Sequence, residues 1–243
     1  MMGRRGSFLK KDAINEMDSK KVELIFEKFK QSNSIPKIEL NYTNHFTLLV
    51  AIVLSARTTD VSVNKITKEL FSITDTPEKM LELGQEELRK RISSIGLYNS
   101  KVRNIIELSR ILVERYNSEV PASFDDLVSL PGVGRKSANV FLNSGLGVPT
   151  LAVDTHVFRV SNRVGLVKEK DVFKTEQSLL NVVPKKYLLY AHHWLVLHGR
   201  YVCKAQKPSC ETCIIHDLCE FEGKRYKVCC PNSCLSHGNK KTT

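Results

Sequence analysis

Residues 130–140 read LPGVGRKSANV, and residues 153–160 read VDTHVFRV. The first stretch places a Pro-Gly-Val-Gly turn, residues 131–134, directly before a helical segment that carries Lys136 near its start. The N–H groups at a helix start are unpaired and partly positive, so such a turn suits an anionic phosphate. The same field, together with burial, would disfavour the protonated form of Lys136, and a neutral amine is a nucleophile. Since Asp154 follows closely in the sequence, the two stretches predict chemistry on a nucleic-acid backbone.

The bulk composition limits the classes of protein to which the chain can belong. The 243 residues suffice for one large domain or two small ones, and 42% of them are hydrophobic. No apolar run reaches the roughly 18 residues that a membrane span needs. The basic first residues, MMGRRGSFLKKD, contain no apolar signal-peptide core. We therefore expect an intracellular protein without a membrane partner, cytoplasmic by default and associated with the nucleoid if the source is bacterial.

The charge balance favours a polyanionic partner. The formal net charge is +11, from 37 Lys and Arg against 26 Asp and Glu. A basic surface that binds a polyanion gains from the release of counterions. A basic but unspecialised solvated surface explains the same numbers equally well, so the charge alone does not decide between the two.

Hydrophobic spacing predicts helices along nearly the whole chain and no strand ladder, so the expected fold is all-α. The segment 45–57, HFTLLVAIVLSAR, is apolar nearly all round, as in a helix at the centre of a bundle. Asp60 is expected to cap the next helix, and Gly199 to end the last one. Further helices are predicted over residues 22–29, 76–84, 85–94, 99–116, 124–130, 135–147, 155–164, 171–183 and 186–198.

Residues 124–144 form a predicted helix, turn and helix. The glycines of the turn tolerate positive φ and let the backbone approach a ligand closely. Amides bonded to phosphate carry no base information, so binding through this turn would be independent of DNA sequence. The residues expected to make these contacts are Gly132, Val133, Gly134 and Arg135. Taken alone, the turn is more typical of an ordinary helix corner, because a single glycine-rich turn is a weak motif.

The cysteines of the chain cluster at one end. All seven follow residue 202, which in an intracellular protein favours a metal site over disulfides. Thiolates at this spacing serve both tetrahedral zinc and iron–sulfur clusters, so spacing does not choose between them. Lys204 and Lys207, in the loop after the first cysteine, are expected to contact phosphate. The candidate metal ligands are Cys203, Cys210, Cys213 and Cys219.

Taken together and in order, the motifs resemble the endonuclease III family of helix-hairpin-helix DNA glycosylases. Besides the two stretches quoted above, they comprise SARTTDVSVNK at 55–65, IGLYNSK at 95–101 and HHWLVLHGRYVC at 192–203. The resemblance covers about residues 20–225. It implies that the four cysteines bind one [4Fe–4S] cluster.

The same resemblance implies a division of the chain. A six-helix barrel with the helix-hairpin-helix motif would span residues 38–148. A helical iron–sulfur domain would combine residues 21–37 with 149–225. A basic arm, 1–20, precedes these units. A tail, 226–243, follows them, and the three cysteines of the tail (Cys229, Cys230 and Cys234) match nothing in the family pattern.

An activity is implied as well: a monomer that excises oxidised pyrimidines from damaged double-stranded DNA and then nicks the strand by β-elimination. Lys136 would form a Schiff base with the sugar, and Asp154 would be its essential partner, although Asp154 also suits a plain helix cap. An adenine glycosylase of the same superfamily is disfavoured, because that enzyme lacks the lysine. A pyrimidine-dimer glycosylase and a non-catalytic DNA-binding protein stay open as alternatives.

Four further side chains are candidates for DNA contact by resemblance. Arg57 stands where the family commonly has a glutamine that fills the gap left by the extruded nucleotide. Arginine would bond the orphan base or turn outward to a phosphate. Ile95 and Leu97 match positions that wedge the other strand, or they simply pack at a helix end. His156 matches a residue near the pocket, or it is an interior histidine bonded to backbone.

Overall fold

The computed structural model describes residues 18–224, and within that range every regular element is helical, which confirms the all-α class. Short 3₁₀ turns occupy Lys185–Tyr187, Cys210–Thr212 and His216–Leu218. The α-helices are α1 (Ser19–Ser32), α2 (His45–Leu54), α3 (Asp60–Ile73), α4 (Pro77–Ile92), α5 (Tyr98–Tyr116), α6 (Phe124–Ser129), α7 (Arg135–Leu146), α8 (Thr155–Val164), α9 (Val172–Val182) and α10 (Leu188–Tyr201).

Helix starts follow local cap signals. Thr76 caps α4 ahead of Pro77, and Ser123 caps α6, both as predicted. The cap expected at Asp60 is wrong, because the side chain of Thr59 caps α3 by accepting a hydrogen bond from the backbone of Ser62. Asp60 is thereby free to form an ion pair elsewhere.

Helix α2 forms the centre of a six-helix unit, α2–α7. Every residue from Phe46 to Leu54 is buried, which explains the nearly uniform apolar composition of this segment. Helices α3, α5 and α7 pack directly on α2, and α4 packs on α5. The hydrophobic cluster of this unit runs from Leu40 to Leu142 and includes Ala152. The helix predicted to continue to Arg57 ends at Leu54.

A second hydrophobic cluster joins the first helix of the chain to the last ones. Residues of α1 pack with α8, α9 and α10. Phe26 stacks on Tyr187 at 5.7 Å between ring centroids, and the Trp194 indole donates to the carbonyl of Asn33 at 2.8 Å. These contacts support the expected split iron–sulfur domain, whose boundaries stay a prediction.

The predicted N-terminal arm is too long. Asp18 caps α1, so residues 19 and 20 belong to that helix. The remainder of the arm and the cysteine-containing tail lie outside the described residues. No helix within residues 18–224 is long and apolar enough to cross a membrane.

Gly199 lies inside α10 and does not end it, contrary to the prediction. A Cβ atom at this position would lie 2.8 Å from the Cβ of His156 and 3.1 Å from Cγ2 of Val160. The missing side chain therefore lets α10 approach α8 closely. This contact fixes α8, the helix that Asp154 caps.

Candidate active site

The turn of the helix-hairpin-helix unit uses its two glycines differently. Gly132 has a φ of +80°, and a Cβ there would lie 2.8 Å from Nδ2 of Asn104. Gly134 has a φ of −92° and open space where a Cβ would point. The N–H of Val133, a residue 5% exposed, donates to Leu130 within the turn. No side chain caps α7, so the amides at its start remain available to an anion.

The side chain of Arg135 is held by contacts within the protein, although 44% of it is exposed. Its Nη2 and Nε atoms donate to the two carboxylate oxygens of Glu176 at 2.5 and 3.1 Å. Its guanidinium also lies over the rings of Phe124 and Phe173, at 5.1 and 4.9 Å from their centroids. The side chain is thus paired with Glu176, and the phosphate contact of Arg135 stays a prediction.

Lys136 and Asp154 come together as expected. Lys136 lies in the first turn of α7 and Asp154 is the N-cap of α8; Nζ and Oδ2 are 4.0 Å apart. The carboxylate is 15% exposed, whereas the lysine side chain is 51% exposed. The burial expected for Lys136 is thus wrong for the protein without DNA. The amine faces the solvent, where a substrate can reach it.

The two oxygens of Asp154 have separate tasks. Oδ1 accepts hydrogen bonds from the backbone N–H groups of His156 and Val157, both at 2.9 Å, while Oδ2 faces Lys136. Burial acts to raise the pKa of Asp154, but the hydrogen bond from Val157 and the charge of Lys136 outweigh it and hold the pKa below its usual value. Asp154 is therefore both a helix cap and an ionised carboxylate beside the amine.

A pocket between the two helical units opens at this pair. Lys136, Asp154, Ser55 and Arg200 line both the pocket and the groove that continues from it. His192 also lines the pocket, and its Nδ1 lies 2.8 Å from the carbonyl oxygen of Ala152. Burial lowers the pKa of His192 to about 3, so the ring is neutral. A neutral ring donates from Nδ1 to this carbonyl, which leaves Nε2 as an acceptor.

Arg200 closes one wall of the pocket. Its Nη1 contacts Asp60 at 2.5 Å and also pairs with Glu39, which accepts from the hydroxyl of Tyr201 at 2.5 Å. The network joins the α2–α7 unit to α10. Sequence reasoning missed Arg200, Glu39 and His192. The HHWLVLHGR motif, which contains His192 and Arg200, indicates the family but not which of its residues line a pocket, and no motif contains Glu39.

Of the four residues that the family resemblance proposes for DNA contact, three face the solvent or the groove. Arg57 is exposed with a φ of +54°, and Leu97 is 57% exposed with a φ of +59°. His156 lines the groove, and its Nδ1 lies 3.2 Å from the guanidinium of Arg159. Ile95 is only 5% exposed and packs in the core of the α2–α7 unit, so in this structure it supports the turn that carries Leu97.

The cysteine loop fits an iron–sulfur cluster. The four candidate ligands are free thiols that line one pocket together with apolar side chains such as Val164 and Ile215. Burial and the neighbouring cysteines raise the pKa of Cys213 to about 11, so four thiolates here require a cationic centre among them. The ligands would be Cys203, Cys210, Cys213 and Cys219.

The loop that carries Lys204 and Lys207 is fastened by Arg163. The two lysines are exposed. Arg163 donates to the carbonyl oxygens of Lys204 and Ala205 at 2.7 and 2.9 Å, and its guanidinium lies over the ring of Phe221. Hydrogen bonds from Arg163 therefore hold this loop in place independently of the cysteines.

Known protein families match both the helix-hairpin-helix part and the cysteine loop of the chain. The HhH-GPD superfamily base excision DNA repair proteins match residues 50–185, more than half of the chain, and the iron–sulfur binding domain of endonuclease III matches residues 203–219. Endonuclease III of Rickettsia conorii is 56% identical over 84% of this chain and 98% of its own length. The enzyme of Escherichia coli K12 is 52% identical over 85% and 97%.

A solved structure of a trapped endonuclease III–DNA covalent intermediate is also similar. It superposes with a TM-score of 0.79 at 42% identity, covering 84% of this chain and 96% of that one. The chain therefore belongs to the endonuclease III family of helix-hairpin-helix proteins, and it is a base-excision DNA glycosylase and lyase with a [4Fe–4S] cluster.

Proposed function

We propose that this glycosylase removes oxidised pyrimidines from duplex DNA through a Schiff base on Lys136. The observation that carries the proposal is the approach of Lys136 to within 4.0 Å of the Asp154 carboxylate, at a pocket open to solvent. A binding protein would need neither an accessible amine nor a buried carboxylate beside it. A damaged nucleotide that leaves the stack can enter this pocket.

The reaction starts at C1′ of the damaged nucleotide. After its ammonium group has released a proton to solvent, the amine of Lys136 attacks C1′, and the glycosidic bond breaks with its electron pair going to the base, which takes up a proton. The sugar opens to an iminium on Nζ. The iminium acidifies C2′, and loss of a C2′ proton expels the 3′ phosphate and leaves a double bond between C2′ and C3′. Excision and strand cleavage thus share one nucleophile.

Asp154 acts through its negative charge. A low pKa keeps the carboxylate ionised at neutral pH, so it stabilises the cationic sugar that develops as the base departs. The two backbone hydrogen bonds to Oδ1 fix the direction of Oδ2 before the substrate arrives. Such preorganised charge requires no rearrangement during the reaction.

The rest of the interface binds DNA without reading its sequence. The turn amides of Gly132, Gly134 and the first residues of α7 suit one phosphate. Lys204 and Lys207 add positive charge on the loop that the cluster ligands bracket. Arg57 and Leu97 are the exposed side chains that enter the duplex. The cluster, when bound, supplies rigidity to this loop. The enzyme acts as a monomer in the bacterial cytoplasm, on the nucleoid.

Borohydride trapping tests this mechanism. The native protein and Lys136→Ala are incubated with duplex DNA that carries one thymine glycol, and the imine is reduced in place. We expect a covalent complex with the native protein alone. Base release by the native protein without any trapped complex would instead point to water as the nucleophile and would contradict the role of Lys136.

A further inference from the structure

Two exposed non-glycine residues near the pocket adopt left-handed backbone conformations. They are Arg57, in the turn after α2, and Leu97, directly before α5. The two turns abut, because a Cβ on Gly96 would lie 3.9 Å from the carbonyl oxygen of Arg57. A left-handed conformation is unfavourable for an L-residue, so the surrounding structure must hold both turns in place.

Lys101 is bonded to both turns. Its Nζ donates to the carbonyl of Leu54 and to the hydroxyl of Thr58, each at 2.8 Å, and so brackets the Arg57 turn at its two ends. Its backbone N–H donates to the carbonyl of Leu97 at 3.1 Å. The first turn of α5 is thereby tied to the turn after α2.

The side chain of Lys101 is 3% exposed, and burial lowers its pKa. Within residues 18–224 its ammonium takes part in no ion pair. It faces the C-terminal end of α2, where the helix dipole is negative. Burying a charged side chain without a carboxylate partner costs desolvation free energy, which an apolar side chain at the same position would avoid. This cost indicates that Lys101 does more than fill the core.

We propose that Lys101 is a positioning residue that locks the Arg57 and Leu97 turns into one unit, so that both side chains enter the duplex together when the damaged nucleotide leaves the stack. The proposal rests on the DNA contacts assigned to Arg57 and Leu97 above. Lys101 lines neither the pocket nor the groove at Lys136 and Asp154. Its effect should therefore fall on nucleotide extrusion and not on Schiff-base chemistry.

The test compares Lys101→Met with the native protein and with Lys90→Met, the same substitution at a side chain that is 76% exposed on α4. Trapping rates are measured on duplex thymine glycol, which requires extrusion, and on a single-stranded abasic site, which does not. We expect Lys101→Met to lose at least about 10-fold on the duplex, as for a misplaced contact, and less than about 3-fold on the single strand. Lys90→Met should match the native protein on both.

A second measurement is independent of the chemistry. Duplex DNA with a reduced, non-reactive abasic site opposite 2-aminopurine fluoresces when the orphan base loses its stacking. The native protein and Lys90→Met should raise this fluorescence, and Lys101→Met should raise it much less. Thr58→Val, which removes one acceptor of the ammonium, should shift both readouts in the same direction, and Thr58→Ser should restore them. This pair carries the test if Lys101→Met does not fold.

Each result has one meaning. Equal losses on the duplex and the single strand in a folded variant would show a general structural role and overturn the proposal, as would native 2-aminopurine fluorescence with Lys101→Met. Absence of trapping by the native protein on either DNA would overturn the Lys136 mechanism instead. The fluorescence comparison would still decide the role of Lys101 in that event.

Discussion

Arg135 and Glu176 form a two-pronged ion pair, with contacts of 2.5 and 3.1 Å, that fastens the first residue of α7 to α9. The carboxylate is buried, with 7% of its side chain exposed, while the guanidinium is sandwiched between two phenylalanine rings. The residue directly before Lys136, the proposed nucleophile, is thus an anchor for it. The ion pair thereby helps to fix the positions of the turn amides and of Lys136.

Glu176→Gln should loosen that anchor. An amide keeps one acceptor but loses the charge, so we expect about 1–2 kcal/mol of lost stability, as for a hydrogen bond to a charged group. Urea unfolding measures the loss, and the Lys136 trapping rate should fall with it. The control is Glu107→Gln in the exposed Arg110–Glu107 pair, for which the loss should stay below about 0.5 kcal/mol. Equal losses in the two variants would contradict the anchoring role.

Asp154→Asn should separate folding from catalysis. Asparagine is as good a helix cap as aspartate, so the unfolding free energy should change by less than about 1 kcal/mol. Excision of thymine glycol should fall by roughly 100-fold or more, because the charge that stabilises the sugar cation is gone. Single-turnover base release measures this effect. Full excision by the folded variant would remove the carboxylate from the mechanism.

Asp18→Asn is the matched control, since Asp18 caps α1 through the same kind of bond to a backbone amide. It should leave excision unchanged.

The pH dependence adds a second check on Asp154. Its folded pKa lies below the ordinary 3.8, so its ionised form contributes stability at neutral pH that is lost only as the pH falls below that value. Native protein and Asp154→Asn should therefore converge in stability below about pH 3.8.

The two glycines of the turn should respond differently to alanine. Gly132→Ala forces a side chain into a left-handed backbone and against Asn104, and should cost about 1–2 kcal/mol or more of stability. Gly134→Ala meets open space and should cost about 0.5 kcal/mol, as a weaker helix cap. Its new methyl group projects where a phosphate would approach, so duplex affinity should drop. Unchanged affinity with Gly134→Ala would argue against phosphate binding at this turn.

His193 should make the protein acid-sensitive. It is 7% exposed, and burial lowers its pKa to about 4, while the unfolded chain protonates near 6.5. The unfolded state therefore binds more protons between these values, and stability falls as the pH drops from about 6.5 to 4. His193→Gln should flatten this decline by up to about 1.4 kcal/mol per pH unit. Parallel declines for the two proteins in urea unfolding at pH 7 and pH 5 would refute it.

Local signals were sufficient for most helix starts, because a cap is a contact between residues two or three apart. The caps at Thr76, Ser123 and Asp154 all follow this rule. The same signals misled at Gly199, since a glycine that ends a helix and one that lets two helices touch look alike in sequence. Only the position of α8 against α10 distinguishes them.

The sequence by itself determined the order of the helices and the hairpin turn, and it predicted Lys136 with Asp154 and the four cysteines as site residues, since each is a pattern of near neighbours or a family motif. Tertiary structure alone decided which charges are paired. Arg135 and Lys136 are adjacent, yet the first pairs with Glu176 on α9 and the second lies beside Asp154 at the start of α8. Lys101 is buried without a carboxylate partner in the described part of the chain. Coulomb energy and desolvation depend on distances between residues far apart in sequence, and folding alone sets those distances.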